Sequence, residues 1–203
     1  MAQTPADVRA LEEALDAVER DALVLIDGMS EQQGGWRAVE GTWSVSECLD
    51  HLGTANRVYV RAMQVSAIRA HEQGRVRHGP ATPGIIGRWF ISTLEPPVKS
   101  WFRMTAPSRI RPLVAPPLAD AFERFLASHA DVRGFLREYS DIDLAGIRFA
   151  NPFIRGVRFS LATGLHVIVA HERRHLWQAW RVRRDVECAG AAAMRASSQT
   201  ASL

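Results

Sequence analysis

The chain has 203 residues and a formal net charge of +3, with 47% hydrophobic and 23% charged residues, which is typical of a globular protein with one well-packed core. The two cysteines, Cys48 and Cys188, exclude a disulfide framework and a cysteine-based zinc site. Apolar runs are too short to cross a membrane and no signal peptide is evident, so we expect a cytoplasmic protein. The arginines are dispersed along the sequence, which argues against a dedicated nucleic-acid binder.

The first predicted helix begins at Thr4-Pro5, where a capping residue precedes a proline at the first helical position. Apolar residues then recur at spacings of three and four for about seven turns, which is the pattern of a single buried seam. The seam consists of Val8, Leu11, Leu15, Val18, Ala22, Leu25 and Met29.

The second predicted helix begins near Ser44, because Ser44 and Glu47 are spaced as a capping box. Its predicted inward seam contains a histidine among small residues that leave room around the ring. The seam consists of Cys48, His51, Ala55, Val58, Ala62 and Val65. A histidine on a buried seam needs a partner, which can be a hydrogen-bonding group or a metal ion.

Residues 74–117 interrupt the helical pattern and contain eight of the ten prolines. Short apolar strings at residues 85–86 and 89–91 predict one or two short helices within this segment. Because both flanks have helical periodicity, we interpret the segment as a long crossover within a helical bundle and not as a linker between domains.

Two further helices are predicted after the crossover, from about Leu118 to Tyr139 and from about Ser160 to Arg184, with a turn-rich stretch at 140–156 between them. The third seam consists of Phe122, Phe125, His129, Val132 and Leu136. The fourth seam consists of Leu161, Gly164, Ile168, His171, His175, Gln178 and Val182. We expect one domain over residues 1–188 and a disordered tail, rich in Ala, Ser and Thr, over residues 189–203.

The string HERRH at residues 171–175 places two histidines four residues apart on one face of the fourth helix. Three seam histidines, His51, His171 and His175, could therefore meet in the bundle interior. Neutral imidazoles suit zinc, nickel or iron, and three protein ligands leave one coordination position open, as in catalytic metal sites. Hydrogen-bonded core histidines are the alternative, but two residues at ligand spacing and a third on a facing seam favour a metal site.

The remaining histidines give weaker signals. His129 lies on the third seam, where a core histidine with a hydrogen-bond partner is the favoured interpretation over a pocket residue. His71 and His78 flank the crossover and are expected in solvent, and His166 lies off the inner stripe of its helix.

The same string matches the HExxH pattern of zinc proteases, in which Glu172 would be the general base. The extended form of that pattern requires glycine at 178 and histidine at 181, where this chain has Gln178 and Arg181. Glu172 also lies about 100° from His171 around the helix, so we expect a surface carboxylate or one outside the ligand set. The protease interpretation is not favoured.

Three segments together resemble the DinB-like superfamily, which includes the YfiT-type metal-dependent hydrolases. They are the string WSVSE at residues 43–47 followed by His51-Leu52, the string NPF at 151–153 with Gly156, and the string HERRHLWQ at 171–178. The resemblance covers most of residues 5–184. The family often has His-Pro where this chain has Asn151-Pro152.

The resemblance implies an all-α fold, a four-helix bundle with a long crossover between the second and third helices. It also implies a divalent metal ion, commonly zinc or nickel, bound by His51, His171 and His175. Homodimers are frequent in the family, so a homodimer is implied as well. Asn151 is not at a ligand position, so this departure from the family pattern leaves the metal site intact.

We favour a metal-dependent S-transferase that acts on a small-molecule substrate. A low-molecular-weight thiol at the open metal position would lose its proton and become a nucleophile. Arg174, or an arginine of the crossover, could bind a carboxylate of that thiol, although Arg174 could equally be a solvated surface residue.

Two alternatives stay open. In a metal-dependent hydrolase the metal would activate water, and Glu172, Glu47 or Asp50 would accept a proton. In a stress-response or binding module without turnover, Trp89 and Trp101 of the crossover would form a partner surface, unless they only cover the open side of the bundle.

Overall fold

The computed structural model describes the backbone of residues 4–97, 107 and 110–200, and the side chains as far as residue 191. Within these residues the protein is mostly helical and has one small antiparallel sheet. In chain order the elements are α1 (Ala6–Ile26), α2 (Glu31–Gly34), α3 (Val45–Glu72), α4 (Ile85–Leu94), α5 (Leu118–Tyr139), β1 (Arg148–Ala150), β2 (Arg158–Ser160) and α6 (Leu161–Thr200). No helix in the described ranges is both long enough and apolar enough to cross a membrane.

The four long helices pack around one apolar core. Helix α3 packs mainly against α5 and α6, while α1 packs mainly against α6 and makes a smaller contact with α5. The largest fully buried side chains, among them Leu15, Leu52, Phe125 and Leu165, come from all four of these helices. The core therefore depends on all four seams, as amphipathic helices require.

Helix α1 follows the predicted seam closely. All of the predicted seam residues from Val8 to Leu25 are buried. The helix ends at Ile26, so Met29 lies in the following turn, where it packs against the core from outside the helix. The residue at the N-cap position is Pro5, one residue after the predicted cap at Thr4. No side chain accepts a hydrogen bond from the first amides of the helix.

Helix α3 begins at the predicted capping box, in which Ser44 and Glu47 bond to each other's backbone amides. The predicted seam is wrong in the second half of the helix, where Val65 is 64% exposed and Met63 and Ala67 are buried instead. The predicted series, from position 48 to 65 in five steps, averages about 3.4 residues per step. Because an α-helix has about 3.6 residues per turn, that series rotates away from the core.

In the described part of the crossover there is one α-helix, α4, which packs against α6. Its outer face is apolar and exposed, since Ile85, Ile86 and Trp89 are 78%, 76% and 64% exposed. Trp101, the other tryptophan of the predicted partner surface, lies outside the described residues.

The stretch between α5 and α6 is not only turns, as the sequence predicted, because it contains the strands β1 and β2. These pair antiparallel, with Phe149 opposite Phe159 on the buried face. Each strand has three residues, which is too short for an alternating pattern to be recognised in the sequence. The pair covers one side of the core next to the start of α6.

Helix α6 begins where predicted and runs on past Arg184 to Thr200. The backbone of residues 189–200 is helical, and the disordered tail expected from the sequence stays a prediction. These residues include several alanines, which have the highest helix propensity and need no apolar partner to extend an existing helix. Residues 201–203 lie outside the described part of the chain, and the domain boundary at residue 188 stays a prediction.

Gly164 allows α6 to approach β1 and α3 closely. A Cβ at this position would lie 2.6 Å from Sδ of Met63 and 2.9 Å from ring carbons of Phe149, both of which are buried. We expect Gly164→Ala to lower the free energy of unfolding by about 1–3 kcal/mol through overpacking. Urea denaturation at neutral pH measures this change.

The matched control is Gly134→Ala, inside α5, where a Cβ would meet no atom closer than 3.9 Å. This substitution should raise the free energy of unfolding by about 0.5–1 kcal/mol, because alanine restricts the unfolded chain and favours helix. Equal effects at the two glycines would contradict the close approach of α6.

Candidate metal centre

The first turns of α3 fix the position of His51. Glu47 accepts a hydrogen bond of 2.9 Å from the amide of Ser44 and forms an ion pair with Arg37. Burial by itself would raise the pKa of Glu47, but the hydrogen bonds from Arg37 and Ser44 outweigh burial and lower it. The charged carboxylate thus anchors the helix one turn before His51.

The structure brings together the three histidines that the sequence predicted to meet. Their ring centroids lie 5.0 Å apart for His51 and His171, 4.6 Å for His51 and His175, and 4.6 Å for His171 and His175. One nitrogen from each ring lies within 4.8 Å of the others, so the three residues could hold a metal ion. His51 is buried, while His171 and His175 keep some contact with solvent.

Two of the three rings have an acceptor oxygen within hydrogen-bond distance of Nδ1. Nδ1 of His51 lies 2.5 Å from the carbonyl oxygen of Ile110, and Nδ1 of His175 lies 3.2 Å from Oε1 of Gln178. Since both partners are acceptors, Nδ1 donates in each ring and Nε2 keeps its lone pair. A hydrogen bond on one ring nitrogen that directs the other toward a metal is the usual arrangement of ligand histidines.

The contact between His51 and His171 has the spacing of two ligands on one metal ion. Their Nε2 atoms lie 3.3 Å apart. Because Nε2 of His51 keeps its lone pair, the contact needs either a proton on Nε2 of His171 or a positive ion between the two nitrogens. Two nitrogens bound to a tetrahedral zinc ion at about 2.05 Å lie roughly 3.3 Å apart, so this pair fits a shared metal ion.

All three rings are held in the neutral form. Burial lowers the pKa of each ring, to about 3 for His171 and well below the ordinary value for His175. The neighbouring histidines and the guanidinium of Arg174 lower the pKa of His171 and His175 further. Neutral imidazoles are the form that binds metals, so no proton has to be displaced at neutral pH.

Trp43 forms one wall of the site, which the sequence alone did not indicate. Its ring centroid lies 4.7 Å from that of His51 and 5.4 Å, nearly parallel, from that of His175. The sequence signals at Trp43 were its position beside the capping box and its place in the family-like string at residues 43–47, and neither gave it a role at the histidines. Arg174 is half-buried near the site and donates to the carbonyl oxygen of Thr93 at 3.4 Å.

Two of the three carboxylates considered as proton acceptors are held by other groups. Glu47 bonds to Arg37, as described above. Asp50 is 3% exposed and accepts hydrogen bonds from the side chain of Arg124 at 2.9 Å and the amide of Leu113 at 2.8 Å. Neither carboxylate is free to take a proton from a ligand at the histidines without losing these bonds.

Glu172 is fully buried and is not the surface carboxylate that the sequence predicted. Its side chain extends toward α3 and α5, where Oε1 accepts a hydrogen bond of 2.7 Å from Asn56 and lies 2.8 Å from Nε2 of His129. The surface alternative is wrong because other helices also cover the side of α6 away from the histidines, whereas a carboxylate outside the three-histidine cluster agrees with these contacts. Its second oxygen, Oε2, has no hydrogen-bond partner among the described residues.

His129 lies in the core, as the sequence favoured, between two carboxylates. Its Nδ1 lies 2.9 Å from Oε1 of Glu19 and its Nε2 lies 2.8 Å from Glu172, although the N–H directions are not aligned for regular hydrogen bonds. Glu19 also pairs with Arg133 at the surface. We call Glu19, Asn56, His129 and Glu172 the core polar cluster. It includes one residue from each of α1, α3, α5 and α6.

The other predicted residues lie away from the three histidines. His71 and His78 are exposed, as expected. Asn151 is buried, donates to the hydroxyl of Tyr59 at 3.0 Å, and accepts from the amides of Phe153 and Ile154. It therefore stabilises the turn of the hairpin and has no contact with the histidine site.

We expect His129→Ala to lower the free energy of unfolding by about 1–3 kcal/mol, because it removes one of the two polar side chains that contact the buried carboxylate of Glu172. His78→Ala, at an exposed position, should change it by no more than about 0.5 kcal/mol. Chemical denaturation of both variants at neutral pH measures the difference. Similar small effects for the two would show that the core polar cluster contributes little to stability.

One family model matches most of the chain. The model described as the DinB superfamily matches residues 14–179, which is well over half of the chain and includes all three histidines. No curated protein and no solved structure gives a match. Members of this family often bind metals, in agreement with the histidine cluster. The matched range extends from the first helix through the last-helix histidines, and the chain therefore belongs to the DinB superfamily.

Proposed function

We propose that His51, His171 and His175 bind a divalent metal ion, zinc or nickel, and that the protein is a thiol-dependent S-transferase. The observation that carries the metal site is the pair of Nε2 atoms of His51 and His171 at 3.3 Å. Acceptors at Nδ1 of His51 and His175 leave Nε2 available in both rings. Three protein ligands leave a coordination position for another molecule, which is typical of catalytic metal sites.

The chemistry follows from a positive centre with one coordination position left open by its three protein ligands. When bound, the metal supplies Lewis acidity that favours the deprotonated form of a thiol. The thiol sulfur then forms a bond to an electrophilic carbon of the substrate, and the leaving group departs with its electron pair. Trp43 covers one side of the histidine rings and limits the access of water there.

Arg174 is the residue that we propose binds the thiol cofactor. It follows His171 by three residues and precedes His175, and its charge acts on the pKa of both rings, so it lies close to the site. A guanidinium binds a carboxylate through two parallel hydrogen bonds, which suits a thiol that carries an amino-acid or peptide carboxylate.

The carboxylates favour S-transfer over hydrolysis. A hydrolase needs a nearby proton acceptor, yet Glu47 and Asp50 are bonded to arginines and Glu172 extends away toward α3 and α5. A thiol that ionises on a metal needs no such acceptor held in place by the protein. Metal-dependent hydrolysis is therefore the second choice.

We also propose three properties that the family suggests and that the present observations leave as predictions. The four long helices form a four-helix bundle with a crossover between the second and third. The protein is a homodimer. It acts in the cytoplasm on a small-molecule substrate.

Conjugation assays with the metal-loaded protein test the proposal. We expect a product with haloarenes or epoxides, in which a carbon–halogen or carbon–oxygen bond breaks as the carbon–sulfur bond forms, only when both the metal and a low-molecular-weight thiol are present. Arg174→Ala should raise the KM for a carboxylate-bearing thiol by about tenfold or more, since a charge-assisted hydrogen bond contributes about 1.5–3 kcal/mol. Arg174→Lys should recover part of the loss.

Arg184→Ala, an exposed arginine on the same helix, is the matched control and should leave the KM unchanged. A product that forms without thiol and disappears on chelation would favour hydrolysis. Failure of the metal-loaded protein to bind any thiol or to form any conjugate would refute the transferase.

A further inference from the structure

A groove of about 290 Å³ lies at the other end of α3, between the end of that helix and the β1–β2 pair. Four arginines line it: Arg69, Arg75, Arg148 and Arg158. Two of them follow one another near the end of α3 and two lie on the strands more than 70 residues later, so the sequence shows only dispersed positive charge. The fold brings the four side chains to one groove. Arg69 lies 18 residues after His51 on the same helix, which is about 27 Å away. The groove is thus separate from the histidine site.

The backbone on two sides of the groove is held in place. After α3 ends, Val76 pairs with Ile142 in a short antiparallel bridge, which fixes the turn that carries Arg75. On the other side, Arg148 and Arg158 come from paired strands whose register puts Ala150 opposite Arg158 and Ser160 opposite Arg148. The two arginines are therefore diagonal neighbours on one face of the sheet, roughly 7–8 Å apart.

This concentration of like charge is unusual within the protein. Elsewhere arginines such as Arg37, Arg77 and Arg133 have carboxylate partners at close range. In the groove the only ion pair among the described residues joins Arg75 to Asp143 at a long 3.6 Å.

The other arginines of the groove lack carboxylate partners in the described ranges. The side chain of Arg158 donates to the carbonyl oxygen of Arg148 at 3.2 Å. Positive side chains this close to one another repel, so a bound anion would reduce the repulsion among the four arginines.

We propose that this groove binds a small phosphorylated molecule, through a diphosphate or a doubly charged phosphate group. The groove has four guanidinium groups and one carboxylate partner, and this excess of positive charge suits a ligand with two or more negative charges. Planar guanidinium groups bind phosphate oxygens in pairs, and four of them can surround a group with several oxygens. The volume of the groove is at the lower end of the range for small-ligand sites, which suits a compact ligand and not a polymer.

Isothermal titration of the full-length protein with inorganic pyrophosphate, at fixed pH and about 50 mM salt, tests the proposal. We expect saturable binding to one site per chain. Arg148→Ala/Arg158→Ala should weaken it by at least about tenfold, since each charged hydrogen bond contributes about 1.5–3 kcal/mol. The control is Arg20→Ala/Arg184→Ala, which removes the same charge from two exposed arginines outside the groove and should bind as the wild type does.

Further titrations separate the ligand classes. Inorganic phosphate should bind more weakly than pyrophosphate, and citrate should bind more weakly still at equal charge. If the double variant does not fold, as judged by circular dichroism, Arg69→Ala at the opposite wall should show the loss. Absence of saturable binding, an equal loss in the control, or tighter binding of citrate would each overturn the proposal.

Discussion

The core polar cluster joins all four long helices, and the direction of α6 depends on it. Glu172 is the only member on α6, and it contacts Asn56 on α3 and His129 on α5. Because Glu172 follows His171 directly, fixing its direction also fixes the rotation of α6 about its own axis. That rotation turns His171 and His175 toward His51. A buried carboxylate that loses its partners is costly, so the helix has little freedom to turn.

The two ends of α3 use charge in opposite ways. At its start, Glu47 and Asp50 are buried carboxylates that arginines neutralise, which holds the backbone around His51 in place. At its end, four arginines gather with one distant carboxylate. The first arrangement stabilises the folded chain and fixes the position of His51. The second leaves positive charge uncompensated within the described residues, which is why we assign it to a ligand.

Much of the fold and the histidine site could be predicted from the sequence. The seam of α1, the capping box at Ser44 and the bounds of α5 follow from local rules, and His171 and His175 meet because helical spacing puts them on one face. Properties that depend on more than one element could not be predicted. Glu172 is buried because helices cover both sides of α6, and Trp43 and the acceptor at Ile110 reach the histidines only through tertiary packing.

Elemental analysis of the untagged protein tests the central claim most directly, because every proposed step at the histidines depends on a bound metal. The account predicts one equivalent of zinc or nickel per chain, lost on substitution of His51, His171 or His175 by alanine and retained in His71→Ala. Circular dichroism should show that each variant is folded. Wild-type protein that takes up neither metal after incubation with both, or full metal content in the three variants, would contradict the account.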